Sequence, residues 1–116
     1  IISEHIAQIQ KLIKAEELRN NRKPGSVLLL AVSKQQPKSA ILEAYQQGIS
    51  NFGENYFQEA EEKLNALKNL PLIWHFIGPI QSNKTKGIAA QFDWVHSIDR
   101  LKVANLLNDH RPTHLA

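Results

Sequence analysis

With 116 residues, the chain is about one domain with one modest core, well short of the roughly 200 residues that a complete eight-stranded βα-barrel needs. Apolar residues at 42% and charged residues at 22% exclude a disordered chain. The absence of cysteine excludes disulfides, thiolate metal ligands and cysteine nucleophiles. The net charge of +3 comes from scattered basic residues with no run longer than Arg22-Lys23, the pattern of a solvated mixed surface rather than a nucleic-acid stripe.

Ile2, Ile6, Ile9 and Ile13 fall on one stripe of a leading helix, with Ser3 as a cap near its start and Asn20 to Gly25 ending it. The continuous apolar run Val27 to Val32 predicts a strand buried on both faces of a parallel sheet. It is far too short to span a membrane, and no signal-peptide core opens the chain, so the expectation is a soluble, cytoplasmic protein. After Ser33-Lys34, Pro37 opens a second helix as an early helical residue, and Gly48 caps its end. The short apolar patch Ile49 to Phe52 is the second strand, and Phe57, Ala60, Leu64 and Leu67 space out a third helix. Leu72 to Ile77 is a third strand, a weaker helix covers Asn83 to Gln91, and Phe92 to Ile98 is a fourth strand. Asp99 can cap a last helix that carries Leu101, Ala104 and Leu107 on its apolar side.

Strands alternating with helices at this short period predict an α/β fold of parallel βα units in the strand order 1-2-3-4. Such an arc is about half of a TIM-type barrel, with the leading helix outside and residues 1–116 forming one domain. The chain lacks methionine and opens inside an amphipathic pattern, and Arg111 to Ala116 adds no closing element. Either the initiator was removed or the chain is a piece of something longer. A half barrel exposes two edges and an inner face, which the remainder of a longer chain or a partner copy would cover, leaving monomer or homodimer open.

In parallel βα folds the ligand site lies beyond the C-terminal ends of the strands. Those ends present Ser33-Lys34, Gly53-Glu54-Asn55-Tyr56, His75 to Gly78 and His96-Ser97, all polar after apolar interiors. Lys34 is the sharpest of them. An amine over the mouth of a sheet is desolvated toward the neutral form that a Schiff base requires, although a long side chain at a strand end can equally snorkel into water. Glu54 and Asn55 also suit an ordinary turn and helix cap, and His75 within an apolar strand suits a hydrogen-bonded core histidine. The histidines show no metal-ligand spacing, and no Gly-rich phosphate loop is present. Lys84, Lys86, Arg100 and Lys102 raise a third reading, an anion or nucleic-acid binder, which lacks a basic stripe or interleaved aromatics to support it.

Four ordered blocks sharpen the choice. Ala31-Val32-Ser33-Lys34 with Pro37, Phe52 to Glu59, Trp74 to Lys84 and His96 to Arg100 together resemble the pyridoxal phosphate homeostasis proteins (the YggS/PROSC family), over about Leu28 to Pro112. The resemblance implies the N-terminal half of a βα-barrel related to the cofactor-binding domain of alanine racemases. It implies pyridoxal 5′-phosphate as the cofactor, held as a Schiff base on Lys34, with Asn55 and the backbone near Ile77 along the ring. It further implies a role in intracellular vitamin B6 and amino-acid homeostasis without catalytic turnover, no metal, and neither nucleic acid nor membrane as partner. A racemase-like enzyme is the alternative, because the scaffold is shared. The family's phosphate grip and the arginine beside its pyridine nitrogen have no counterpart in this sequence. Weak occupancy at Lys34 is therefore expected, with Lys11, Lys63 and Lys84 as surface comparators.

Overall fold

The computed structural model describes residues 2–115. Its sheet has four parallel strands, β1 (Ala31–Val32), β2 (Asn51–Glu54), β3 (Ile73–Phe76) and β4 (Trp94–Val95), in the order β1-β2-β3-β4. The registers pair Val32 with Gly53, Gly53 with His75 and His75 with Trp94. The leading helix α1 (Ile2–Arg19) precedes this sheet, and α2 (Lys38–Gln46), α3 (Phe57–Ala66), α4 (Thr85–Gln91) and α5 (Leu101–His110) each follow a strand. Sequential parallel order with a helix after every strand is the expected arc of a TIM-type barrel.

The sheet has two unlike faces because side chains alternate along each strand. Ala31, Phe52, Trp74 and Phe76 point to the helix layer, where Phe76 meets Phe92 edge-on at 5.2 Å and Phe52 lies 5.8 Å from Trp74. Ile41, Ile88 and Val103 bring α2, α4 and α5 onto the same core. The opposite, inner face carries Val32, Asn51, Gly53, Ile73, His75 and Trp94. Val32 and Trp94 are 50% and 60% exposed there.

The Val27 to Val32 run departs from expectation. Only Ala31 and Val32 form a strand, and Val27, Leu28 and Val32 are exposed. Leu29 and Ala31 pack against the core on the helix side, while Val32 lies on the inner face, which no layer of the described residues covers. The Glu17 carboxylate accepts the amides of Gly25 (3.3 Å) and Val27 (3.0 Å), which fixes the approach to β1 as a turn.

Several helix ends also differ from the sequence reading. Ser3 lies within α1 rather than capping it, and its amide donates to Glu43 on α2 at 3.0 Å. Along the expected isoleucine stripe Ile6 is buried and Ile13 half-buried, whereas Ile2 and Ile9 are exposed. Pro37 stands one residue outside α2 with extended backbone, since its ring fixes φ but leaves ψ free to turn the chain. Gly48 does end α2 as expected. Its φ of +92° lets its amide donate to Tyr45 and that of Ile49 to Ala44, the paired bonds that close a helix with a left-handed residue. The weaker helix opens as a 3₁₀ turn over Ser82–Lys84 before α4. α5 starts after Arg100 with no side-chain cap, so Asp99 does not serve as one. Its buried residues are Val103 and Leu107, one turn apart against α4, while Leu101 projects into solvent.

Candidate functional site

Counting two residues on from the registers lines up Lys34, Asn55, Ile77 and His96 just beyond the C-terminal ends of the strands, with Lys34 standing in the turn that follows β1. Backbone bonds carry the pairing to this row: Ser33 donates to the Gly53 carbonyl at 2.9 Å, Ile77 to Glu54 at 2.9 Å and His96 to Phe76 at 3.0 Å. The three residues singled out in the sequence are thus brought together, with His96 as a fourth. Asn55 and Ile77 are half-buried, and Asn55 Oδ1 is a buried acceptor without a hydrogen-bond partner among the described residues. Lys34 is exposed. The low-dielectric walls expected around its amine are not built by the described residues, and the amine reaches water from the strand end.

The residues beneath Lys34 form a network that the sequence reading missed. Glu54, expected to be a turn or cap residue, is fully buried and points to the helix side. It accepts Lys63 Nζ at 3.1 and 3.2 Å and also accepts the Ser33 hydroxyl. Lys63 is no surface lysine but is 6% exposed. It donates to the Ser33 carbonyl at 2.6 Å and pairs with Glu59 one turn earlier at 3.5 Å. Glu59 in turn accepts the Gln35 amide at 2.7 Å. The available signal was that Lys63 falls among Ala60, Leu64 and Leu67 on the apolar side of α3, a position where a lysine must find an acid.

Deeper on the inner face, His75 is a fully hydrogen-bonded histidine, as its place in an apolar strand suggested. Its Nε2 donates to Asn51 Oδ1 at 2.9 Å, which assigns Nδ1 as the acceptor from His96 Nε2, 2.8 Å away. Trp94 stacks on its ring at 6.2 Å. Burial and the neighbouring His96 hold the His75 imidazolium below its ordinary range, only partly offset by Asp93. At neutral pH this imidazole is a neutral relay between an amide and a second ring.

At the rim, a cleft of about 270 Å³ runs between Asn55, Phe57, Pro79, Gln81 and Lys84. Lys84 is half-buried there, Lys86 and Lys102 are exposed, and Arg100 donates to the Ile80 carbonyl at 3.2 Å. Among the described residues no helix is long and apolar enough to cross a membrane.

A parallel arc with a polar row beyond its C-terminal strand ends defines the class: part of a βα-barrel with its ligand rim. No protein-family model matches the chain. Over 98% of its length it is 53% identical to the pyridoxal phosphate homeostasis protein of Pseudomonas aeruginosa, of which it covers 50%. It is 49% identical, again over 98% of its length, to the protein of the same name from Escherichia coli strain K12, of which it also covers 50%. Among solved structures it superposes on PipY of Synechococcus elongatus PCC7942 with PLP bound. The TM-score is 0.79 at 40% identity, covering 95% of this chain and 48% of that one. An unknown protein from Bifidobacterium adolescentis gives a TM-score of 0.82 at 27% identity, covering 93% and 48%. The chain is homologous over nearly all its length to pyridoxal phosphate homeostasis proteins, and it spans about half the length of the curated relatives it matches.

Proposed function

We propose that residues 1–116 are the lysine-bearing, N-terminal portion of a pyridoxal-phosphate-binding βα-barrel, and that Lys34 holds the cofactor as a Schiff base. The observation that carries this reading is the position of Lys34, Asn55 and Ile77 just beyond the C-terminal ends of three adjacent parallel strands, on a chain similar to a structure with PLP bound. The residues fit the carbonyl-bearing end of such a cofactor. Lys34 offers a primary amine at the rim, and the unpartnered Asn55 Oδ1 can take a hydrogen bond from a donor on the ring. The cofactor supplies an aldehyde that a lysine amine captures reversibly. Ile77 and the neighbouring backbone give the ring an apolar edge, and the exposure of Lys34 leaves the linkage open to water and exchange.

The role this supports is a cytoplasmic reservoir in vitamin B6 and amino-acid homeostasis, without turnover and without nucleic acid or membrane as partner. Racemisation needs an acid and a base on opposite sides of the reacting carbon, and the racemases that share the scaffold draw one of them from a second domain. Purified chain supplied with pyridoxal phosphate is expected not to interconvert L- and D-alanine. The test of binding is an absorbance titration with pyridoxal phosphate on the chain and on Lys34→Ala. A saturable band present in the first and lost in the second is expected, and identical titrations would overturn the assignment.

A further inference from the structure

We propose that Lys63 and Glu59 clamp the main chain on both sides of Lys34 and so fix the backbone from which its side chain leaves the strand end. This deepens the reading of Lys34 as the cofactor-holding lysine and rests on it. Each of the two peptide groups flanking Lys34 is held by a different residue of α3. The Ser33 carbonyl, on the N-terminal side, accepts Lys63 Nζ at 2.6 Å. The Gln35 amide, on the C-terminal side, donates to Glu59 Oε2 at 2.7 Å. Lys63 and Glu59 are joined by their own ion pair, and the remaining bonding capacity of the ammonium goes to the buried Glu54.

Such a hold is required here. Gln35 has a φ of +59°, a left-handed conformation that a side-chain-bearing residue adopts only when something imposes it. Lys34 and Gln35 are themselves exposed, so no packing fixes their direction. A buried ion pair is a poor substitute for apolar packing as a source of stability, and this one is spent on backbone atoms adjoining one lysine. Lys63 and Glu59 are therefore positioning residues, acting through the orientation of Lys34.

The test uses Glu59→Ala and Glu59→Gln, because Glu59 is the most exposed member of the network and its loss leaves the Glu54–Lys63 pair in place. Chain and pyridoxal phosphate are treated with cyanoborohydride. Lysine Nζ adds to the aldehyde carbon, water leaves, and hydride reduces the C=N bond to a stable secondary amine that peptide mapping counts. The readout is the ratio of label at Lys34 to label at exposed Lys11 in the same molecules, beside hydrogen exchange at the Gln35 amide and a denaturation midpoint. Glu59→Ala is expected to lower the Lys34:Lys11 ratio by about tenfold and to speed Gln35 exchange, with the midpoint little changed. Glu59→Gln, whose amide oxygen still accepts from Gln35, is expected to restore both. An unchanged ratio in folded Glu59→Ala, or an unprotected Gln35 amide in the parent chain, overturns the clamp. A protected Gln35 amide in a parent chain that labels Lys34 no faster than Lys11 overturns the cofactor reading, and the orienting role with it, leaving a backbone clamp alone.

Discussion

His75 and His96 share a hydrogen bond, Nδ1 to Nε2 at 2.8 Å, across the step from β3 to β4. His75 is buried, and both its burial and its neighbouring ring disfavour the charged form. In the unfolded chain His75 protonates near its ordinary value of 6.5, whereas the folded chain keeps it neutral to lower pH. Between the two values the unfolded state binds more protons, so stability falls as pH drops, by up to about 1.4 kcal/mol per pH unit for one proton. Urea midpoints measured from about pH 7.5 down to about pH 5 should decline, and the decline should be shallower in His75→Gln. Equal slopes in the two proteins would remove His75 as the cause.

The Glu54–Lys63 pair should behave asymmetrically on mutation. Lys63→Met leaves the fully buried Glu54 carboxylate with only the Ser33 hydroxyl, and removal of one partner from a buried pair costs about 3–5 kcal/mol. Glu54→Leu combined with Lys63→Met removes both charges, and Ser33 Oγ can keep its second contact, 3.4 Å from the Gly53 carbonyl. The double variant should therefore be more stable than Lys63→Met alone. Denaturant unfolding of the parent and the two variants decides it, and a double variant no more stable than Lys63→Met would contradict the account.

Gly78 sits against the Asn55 backbone. A Cβ at Gly78 would come 2.1 Å from the Asn55 carbonyl oxygen and 2.6 Å from its Cα. Both are main-chain atoms, so no rotamer change relieves the overlap. Gly78→Ala should cost about 1–3 kcal/mol and displace Asn55 from the row it shares with Lys34. A midpoint equal to that of the parent chain would show that the β2 and β3 ends separate freely.

How much of this was legible in the sequence varies with the physical cause. The order of elements was readable because apolar periodicity switches at Pro, Gly and polar clusters, which separate the strands from the helices that follow them. The two-faced burial expected for Val27 to Val32 failed because periodicity cannot say whether both faces of a strand are covered. Asp99 and Ser3 failed as caps because a polar residue near a helix start specifies the boundary only to within a residue or two. The network of Ser33, Glu54, Glu59 and Lys63 joins residues up to 30 apart, and no local pattern reports such a pairing. The neighbouring motif residue Lys34 was legible, but the main-chain hold beside it was not.

The central claim is that Lys34 is the preferred site for pyridoxal phosphate. Its most direct measurement is hydride trapping of the chain with excess cofactor, followed by peptide mapping across all its lysines. The account predicts label concentrated at Lys34, with minor label at exposed Lys11 and at Lys84, and none at Lys63, whose amine is engaged in the buried network. Label spread evenly over Lys11, Lys34 and Lys84 would contradict it.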